Sequence, residues 1–168
     1  FISSNFIENK SPTALSGGLR LKNIFKSNYE NFPLISVVVP NFEGTKLKVT
    51  LNSILKQKYP NIEIIVIDGG SNFENISFLK EEYNDEVDYW ISEKDNGIYD
   101  AWNRGIKISK GKYIGIINSN DFYYEKAFDY LLKYINNYPN YDFILGAVEK
   151  KKVHAGFRPN EINLRFNI

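Results

Sequence analysis

Cysteine is absent from the 168 residues, which excludes disulfides, thiolate nucleophiles and Cys-ligated zinc. Histidine occurs once, as His154, too few for a multi-His metal site or a His-paired triad with spare parts. Net charge is nearly absent too. At +1 the chain has no global field favouring nucleic acid or an anionic membrane, and nucleic acid is not an expected partner. No apolar run approaches the roughly 20 residues of a membrane span. Phe1-Ile2 opens neither the basic region nor the long apolar region of a signal peptide. Methionine is missing even at position 1, and the chain reads as a piece of a longer protein. What remains is ordinary for a soluble domain with a real core: 43% hydrophobic and 24% charged residues.

Residues 1–33 lack a sustained period and are punctuated by Ser3-Ser4-Asn5, Ser11-Pro12-Thr13 and Ser16-Gly17-Gly18. They read as an extension, packed on the domain or on a partner or left as a leader, with Pro33 as boundary. From there strands and helices alternate. Ile35–Val39 is β-branched and nearly all apolar, as for a strand buried on both faces. A helix opens at Gly44-Thr45, with Leu47, Leu51, Ile54 and Leu55 on one face. Ile62–Ile67 is a second buried strand, closed by Asp68-Gly69-Gly70-Ser71. A helix over 73–83, a short strand over 87–91 and a helix over 99–109 follow. Lys112-Tyr113-Ile114-Gly115-Ile116-Ile117 is the strand the chain is organised around. It runs into the polar tip Asn118-Ser119-Asn120-Asp121. A helix over 125–137 and a strand over 141–148 complete the pattern.

Alternation of this kind predicts an α/β fold, a doubly wound, mostly parallel sheet with helices on both faces. Ligands of such sheets bind at the carboxyl ends of the strands, where connections reverse direction. If the 35–39 strand neighbours the 112–117 strand, three loops meet there: Pro40–Gly44, Asp68–Ser71 and Asn118–Asp121. Asp68 stands where dinucleotide-binding folds place a ribose-binding acid. The glycine fingerprint of those folds is missing, because the first loop holds one glycine and the acid Glu43. Phosphates would then need neutralising elsewhere, and a divalent cation on Asp121 would do it. The pattern suggests a nucleoside diphosphate held through metal, with Phe42 free to stack on its base. Plainer roles stand beside these: Asp121 as a helix cap, Asp68 as a turn residue, Phe42 as core.

Residues 34–146 resemble the donor-binding part of family 2 glycosyltransferases of the GT-A fold. The resemblance lies in Leu34–Phe42, Leu51–Glu63, Ile67–Ser71, Trp90–Ile106 and Gly111–Asp121. The Gly97-Ile98-Tyr99-Asp100-Ala101 block is similar to members that build colanic-acid-like exopolysaccharide, capsule and surface glycans in bacteria. Gly17-Gly18-Leu19-Arg20 resembles a leader in some of them. The resemblance implies an incomplete GT-A domain over 34–168, with the acceptor part beyond Ile168. It implies an inverting, metal-dependent enzyme that moves sugar from a nucleotide-diphospho-sugar, first of all a UDP-sugar, to a glycan or lipid-linked acceptor. The expected location is the cytoplasm, up to the inner membrane face. Peripheral membrane association and self-association of the whole protein stay open.

By the same resemblance Pro40 and Phe42 contact the base, and Asp68 the base or ribose. Lys94, Asp95 and Asn103 lie beside ribose and diphosphate. Asn120 and Asp121 form the metal motif, with Asp121 on Mg²⁺ or Mn²⁺. Three departures matter. The second loop has Gly69 where the family often has a second acid. The metal motif reads Asn-Asp where Asp-Asp is common. The family's catalytic base lies in a later segment, and of the later acids Asp142, Glu149 and Glu161 none matches its motif. Two rivals follow: a catalytically silent sugar-nucleotide-binding or scaffolding domain, and a nucleotidyltransferase. The second would need a glycine-rich, basic first loop.

Overall fold

The computed structural model of the chain describes residues 14–44, 46–140, 142–144 and 146. The chain divides into two units, residues 1–129 and 130–168. The first holds a five-stranded sheet, built from β1 (Leu15–Gly17), β2 (Ile35–Asn41), β3 (Ile62–Asp68), β4 (Tyr89–Ser92) and β5 (Tyr113–Ile116). The spatial order is β1-β4-β3-β2-β5, with β4, β3, β2 and β5 parallel and β1 antiparallel on β4.

Burial follows the sequence pattern. β2 and β3 are buried at every position, which is why they read as unbroken apolar runs. α1 (Leu47–Leu55), α2 (Phe73–Glu82) and α3 (Ile98–Ile108) are the crossovers. β2, β3 and β4 step in one direction, so right-handed crossovers put α1 and α2 on one face. The step from β4 back to β5 puts α3 on the other. α3 lies against β2 and β3, and Gly105 permits it: a Cβ there would run into Val38 Cγ1. On α1 the buried stripe is Leu47, Thr50, Leu51 and Ile54. Leu55, expected on that stripe, is 37% exposed. The helix ends there, and its last residue turns toward solvent.

Pro33 does not mark the edge of the packed structure. Residues 14–33 belong to the first unit, and β1 pairs Leu15 with Ser92 and Gly17 with Trp90. A 3-10 turn, Leu19–Lys22, then carries Arg20 inward to the carboxylate of Glu63 on β3. Both side chains of this ion pair are within 2% of complete burial. Glu63 also accepts hydrogen bonds from Ser36 Oγ (2.5 Å) and the Lys110 N–H (3.0 Å). Lys26 reaches the buried Asp88 carboxylate at 2.8 Å, and Asn61 Nδ2 donates to the carbonyls of Ser27 and Phe32.

The break between units falls inside α4 (Ala127–Asn137). Within the second unit the Tyr134 and Tyr138 rings stack, 6.2 Å apart. The strand expected over 141–148 falls largely outside the described residues, and Asp142 to Ile144 carry no strand. Glu149, His154 and Glu161 also lie outside them.

Candidate functional site

The predicted neighbours are neighbours: β2 pairs β5 in parallel from Ile35 with Tyr113 to Val38 with Ile116. The loops after β2, β3, β4 and β5 therefore meet at the carboxyl edge of the sheet, the position from which such folds bind ligands.

Asp68, the last residue of β3, is fully buried. Its Oδ1 accepts from Asn41 Nδ2 and Ser71 Oγ, both at 2.6 Å. Its Oδ2 accepts from the Gly70 N–H (3.1 Å), the Ser71 N–H (2.8 Å) and Ser92 Oγ (2.6 Å). Five donors from β2, β4 and its own loop converge on one carboxylate, which offers about four lone-pair sites. The placement expected for Asp68, against a base or ribose, is therefore revised. In this geometry it is the knot that ties three strand ends together, not a group facing a ligand.

The β2 loop is built from the same kind of bonds. Glu43 adopts a left-handed backbone (φ 50°), uncommon for a residue with a side chain. Its N–H donates to Ser71 Oγ at 2.7 Å. Its carboxylate accepts the Asn72 N–H at 2.8 Å and the Asn75 amide, at the start of α2. An acid there meets unpaired helix N–H groups and the positive end of the helix dipole. Sequence spacing gave no sign of this cap, because the acid comes from another strand's loop. The loop lifts Phe42 into solvent at 68% exposure, so Phe42 is not core. Pro40 is buried within β2.

At the β5 end Asn120 is also left-handed (φ 83°), a conformation Asn tolerates better than most residues. Its Oδ1 accepts the Lys46 N–H at 3.1 Å, satisfying an orphan donor at the start of α1. Thr50 Oγ1 accepts the Asn120 N–H (3.1 Å) and donates to the Asp121 carbonyl (2.6 Å). Asp121 is thus held by its backbone, while its side chain is exposed. α4 starts only at Ala127, so Asp121 does not cap it.

Two buried amide oxygens face this edge without a partner among the described residues, Asn41 Oδ1 and Asn118 Oδ1. Asp68 accepts only, so it fixes the Asn41 amide with its NH₂ inward and its oxygen outward. Gly44 leaves that oxygen its space, since a Cβ at 44 would overlap it and lie 2.8 Å from Ser119 Oγ. After β4, Lys94 is exposed and Asp95 is partly exposed, and Asn103 on α3 is exposed. Asp95 Oδ1 accepts the Gly97 N–H at 2.8 Å. The edge thus presents one exposed aromatic ring, carboxylates on two sides and an exposed Lys, with two buried amide oxygens nearby. Among the described residues no cluster of three or more His, Cys, Asp or Glu could cage a metal alone. A hard cation that shares its shell with substrate phosphates needs only one or two carboxylates, and Asp121 fits that role.

The Glycosyl transferase family 2 model matches residues 36–167. The chain is 34% identical over 114 residues to an uncharacterised glycosyltransferase of Rickettsia prowazekii, covering 67% of this chain and 35% of that one. It is 37% identical over 122 residues to the glycosyltransferase GlyG of Streptococcus pneumoniae, covering 65% and 40%. It is 32% identical over 101 residues to chondroitin synthase of Escherichia coli, covering 59% and 15%. This sequence therefore spans well under half the length of these relatives. Among solved structures it is similar to S. aureus TarS 1-349 in complex with UDP-GlcNAc, at a TM-score of 0.55 and 21% identity, covering 63% of this chain and 32% of that one. That likeness shows the fold, a GT-A sheet. With the sheet order, the strand-end loops and a family match over most of its length, the chain belongs to glycosyltransferase family 2.

Proposed function

We propose that this chain is the donor-binding part of an inverting glycosyltransferase. Its donor would be a nucleotide-diphospho-sugar, and its acceptor a glycan or lipid-linked sugar of bacterial surface polysaccharide. The observation that carries the reading is the strand-end arrangement: an exposed ring at Phe42 and an exposed carboxylate at Asp121, on neighbouring strands β2 and β5 of a family 2 sheet. TarS was crystallised with UDP-GlcNAc, which supports a UDP-sugar as the first donor to test.

In this reading Phe42 stacks on the base, a contact that tolerates any base because every base has a π-face. Lys94 and Asn103 lie toward the diphosphate. Asp121 would hold Mg²⁺ or Mn²⁺, and the bound ion would supply charge stabilisation to the departing nucleoside diphosphate. Asn120 contributes position, because its amide oxygen is engaged by Lys46. A general base from the acceptor side deprotonates the attacking hydroxyl, and the oxygen enters opposite the leaving group, giving inversion. Among the described residues no helix is long and apolar enough to cross a membrane. Action in the cytoplasm, at the inner membrane face, is part of the proposal. The engaged Asn120 oxygen is the one observation that favours the silent-domain alternative, and turnover of a UDP-sugar by the whole enzyme separates the two readings.

The test is calorimetric titration of the chain with UDP, with and without Mn²⁺. Binding strengthened by Mn²⁺ and lost from that strengthened part in Asp121→Ala is the expected result. UDP binding indifferent to Mn²⁺ and to Asp121→Ala would overturn the assignment of the cation site.

A further inference from the structure

We propose that Ser53, on α1, and Gln57, just past its end, are positioning residues for the carboxylate of Asp121. With Thr50 they form a polar stripe that holds the backbone carrying that acid. The inference rests on the cation reading above and adds to it what places the acid.

The stretch between β5 and α4 belongs to no strand or helix, so its backbone groups need partners from elsewhere. Two bonds are internal: the Asp121 N–H donates to the Asn118 carbonyl (3.1 Å) and the Ala127 N–H to the Tyr124 carbonyl (2.9 Å). The others come from the α1 side. Thr50 Oγ1 accepts the Asn120 N–H and donates to the Asp121 carbonyl. Ser53 Oγ accepts the Tyr123 N–H at 3.0 Å. Gln57 Nε2 donates to the Tyr124 carbonyl at 2.9 Å, and its Oε1 accepts the Phe128 N–H at 3.2 Å, in the first turn of α4. The stripe thus follows the chain from Asn120 to Phe128, contact by contact.

Spacing builds the stripe. Thr50 and Ser53 share one helix face. The Lys56 N–H on the Asn52 carbonyl and the Gln57 N–H on the Ile54 carbonyl carry the winding on to Gln57. Thr50 is fully buried and Gln57 is 8% exposed, sites where an apolar side chain would be ordinary. Their polar ends are accounted for by the backbone they bind. Each is also oriented from its own helix: Ser53 Oγ donates to the Thr50 carbonyl (2.7 Å), and Gln57 Nε2 to the Ser53 carbonyl (3.0 Å). Close packing does not fix the segment on this side, because a cavity of about 560 Å³ lies between Phe122 and α1. The hydrogen bonds therefore decide where the segment runs.

The Asp121 side chain is exposed, so the place of its carboxylate follows from the place of its backbone. Among the described residues no cluster of acids stands by to replace it if it shifts. Groups that orient a metal ligand without touching the metal typically matter by 10–100-fold in affinity.

The experiment titrates the full 168-residue chain with UDP, with and without Mn²⁺, and reads the ratio of the two affinities. It compares wild type, Ser53→Ala, Ser53→Thr, Gln57→Met and Ile54→Val. In Ser53→Ala and Gln57→Met the ratio should fall about tenfold, while affinity without Mn²⁺ stays that of wild type. Ser53→Thr keeps the hydroxyl and should keep the wild-type ratio. Ile54→Val trims a buried side chain of the same helix without touching these bonds. It should lower the urea midpoint and leave the ratio alone. Should Gln57→Met fail to fold, Ser53→Ala against Ser53→Thr decides. A wild-type ratio in Ser53→Ala, or an equal fall in Ile54→Val, would overturn the inference while leaving the cation reading intact. So would UDP affinity that falls alike with and without Mn²⁺. Wild-type binding indifferent to Mn²⁺ would overturn the cation reading, and this inference with it.

Discussion

Replacing Arg20 by Met should cost far more than its place in an apparent leader suggests. The guanidinium is buried, with Nη2 on Glu63 Oε1 and Nη1 donating to the Ile108 carbonyl at 2.8 Å. Met keeps most of the packed volume and removes the charge. Glu63 then keeps Ser36 Oγ and the Lys110 N–H but loses its counter-charge inside the sheet. Removing one partner of a buried pair typically costs about 3–5 kcal/mol, because the other charge is left uncompensated. A domain of this size is stable by about 5–15 kcal/mol, so the loss is a large share of the total.

Lys22 is the internal control. It pairs with Asp85 two residues further on, but those side chains are 44% and 75% exposed. Lys22→Ala should cost about 0–1 kcal/mol. Adding Glu63→Gln to Arg20→Met should recover a substantial part of the loss, since no ion then remains to be desolvated. Urea unfolding of the four proteins at neutral pH reads all of this. An Arg20→Met penalty no larger than that of Lys22→Ala would show that residues 14–33 are not part of the cooperative unit. The account of the sheet edge would then be wrong.

Phe42→Leu should leave unfolding free energy within about 0.5 kcal/mol of wild type, as for an exposed site. It should weaken UDP binding by about 1–3 kcal/mol, the usual worth of a base–aromatic stack, and equal affinity by calorimetry would remove the ring from the site. Asp68→Asn puts an NH₂ among five donors and should cost about 1–3 kcal/mol in denaturant, most of its effect on nucleotide binding following from that loss. Burial raises the Asp88 carboxyl above its usual value of 3.8, against the lowering effect of Lys26. The folded state therefore binds the proton more tightly than the unfolded one. That contribution is fully present below pH 3.8 and is lost as pH rises through the raised value. Asp88→Asn, which keeps an acceptor for the Ile64 N–H, should thus gain on wild type as pH rises from about 4; a difference in unfolding free energy flat with pH would refute this.

The parallel core was open to reading because β2 and β3 are buried on both faces, and such strands carry no polar alternation to confuse with a helix. β1 was not. Leu15-Ser16-Gly17 has neither the length nor the β-branching of a strand, and its pairing is decided by β4 lying beside it. Glu63 interrupts an apolar strand and looks like a solvent position; only Arg20, 43 residues away, makes it an interior one. The exposure of Phe42 and Asp121 just past strand ends was legible, because each follows directly from where an apolar strand stops. Asp68 and Glu43 were not. Their roles depend on which N–H and O–H groups other loops deliver, and spacing along the chain does not encode that.

The same contrast shows in how the strand-end loops are held. The loops after β2, β3 and β5 are short, and backbone bonds carry the pairing just into them, from the Gly69 N–H to the Asn41 carbonyl (2.8 Å) and from the Ser119 N–H to the Pro40 carbonyl (3.2 Å). Beyond those, side chains hold them: Glu43 on the start of α2, Asn120 on the start of α1, Thr50 on the β5 loop, and Asp68 joining the ends of β2, β3 and β4. An acceptor that gathers donors from β2, from β4 and from its own turn fixes three strand ends relative to one another before any ligand arrives. Preorganised groups lose little ordering freedom on binding, which is where much of the cost of association lies. A carboxylate committed in that way cannot also exchange partners with each donor molecule.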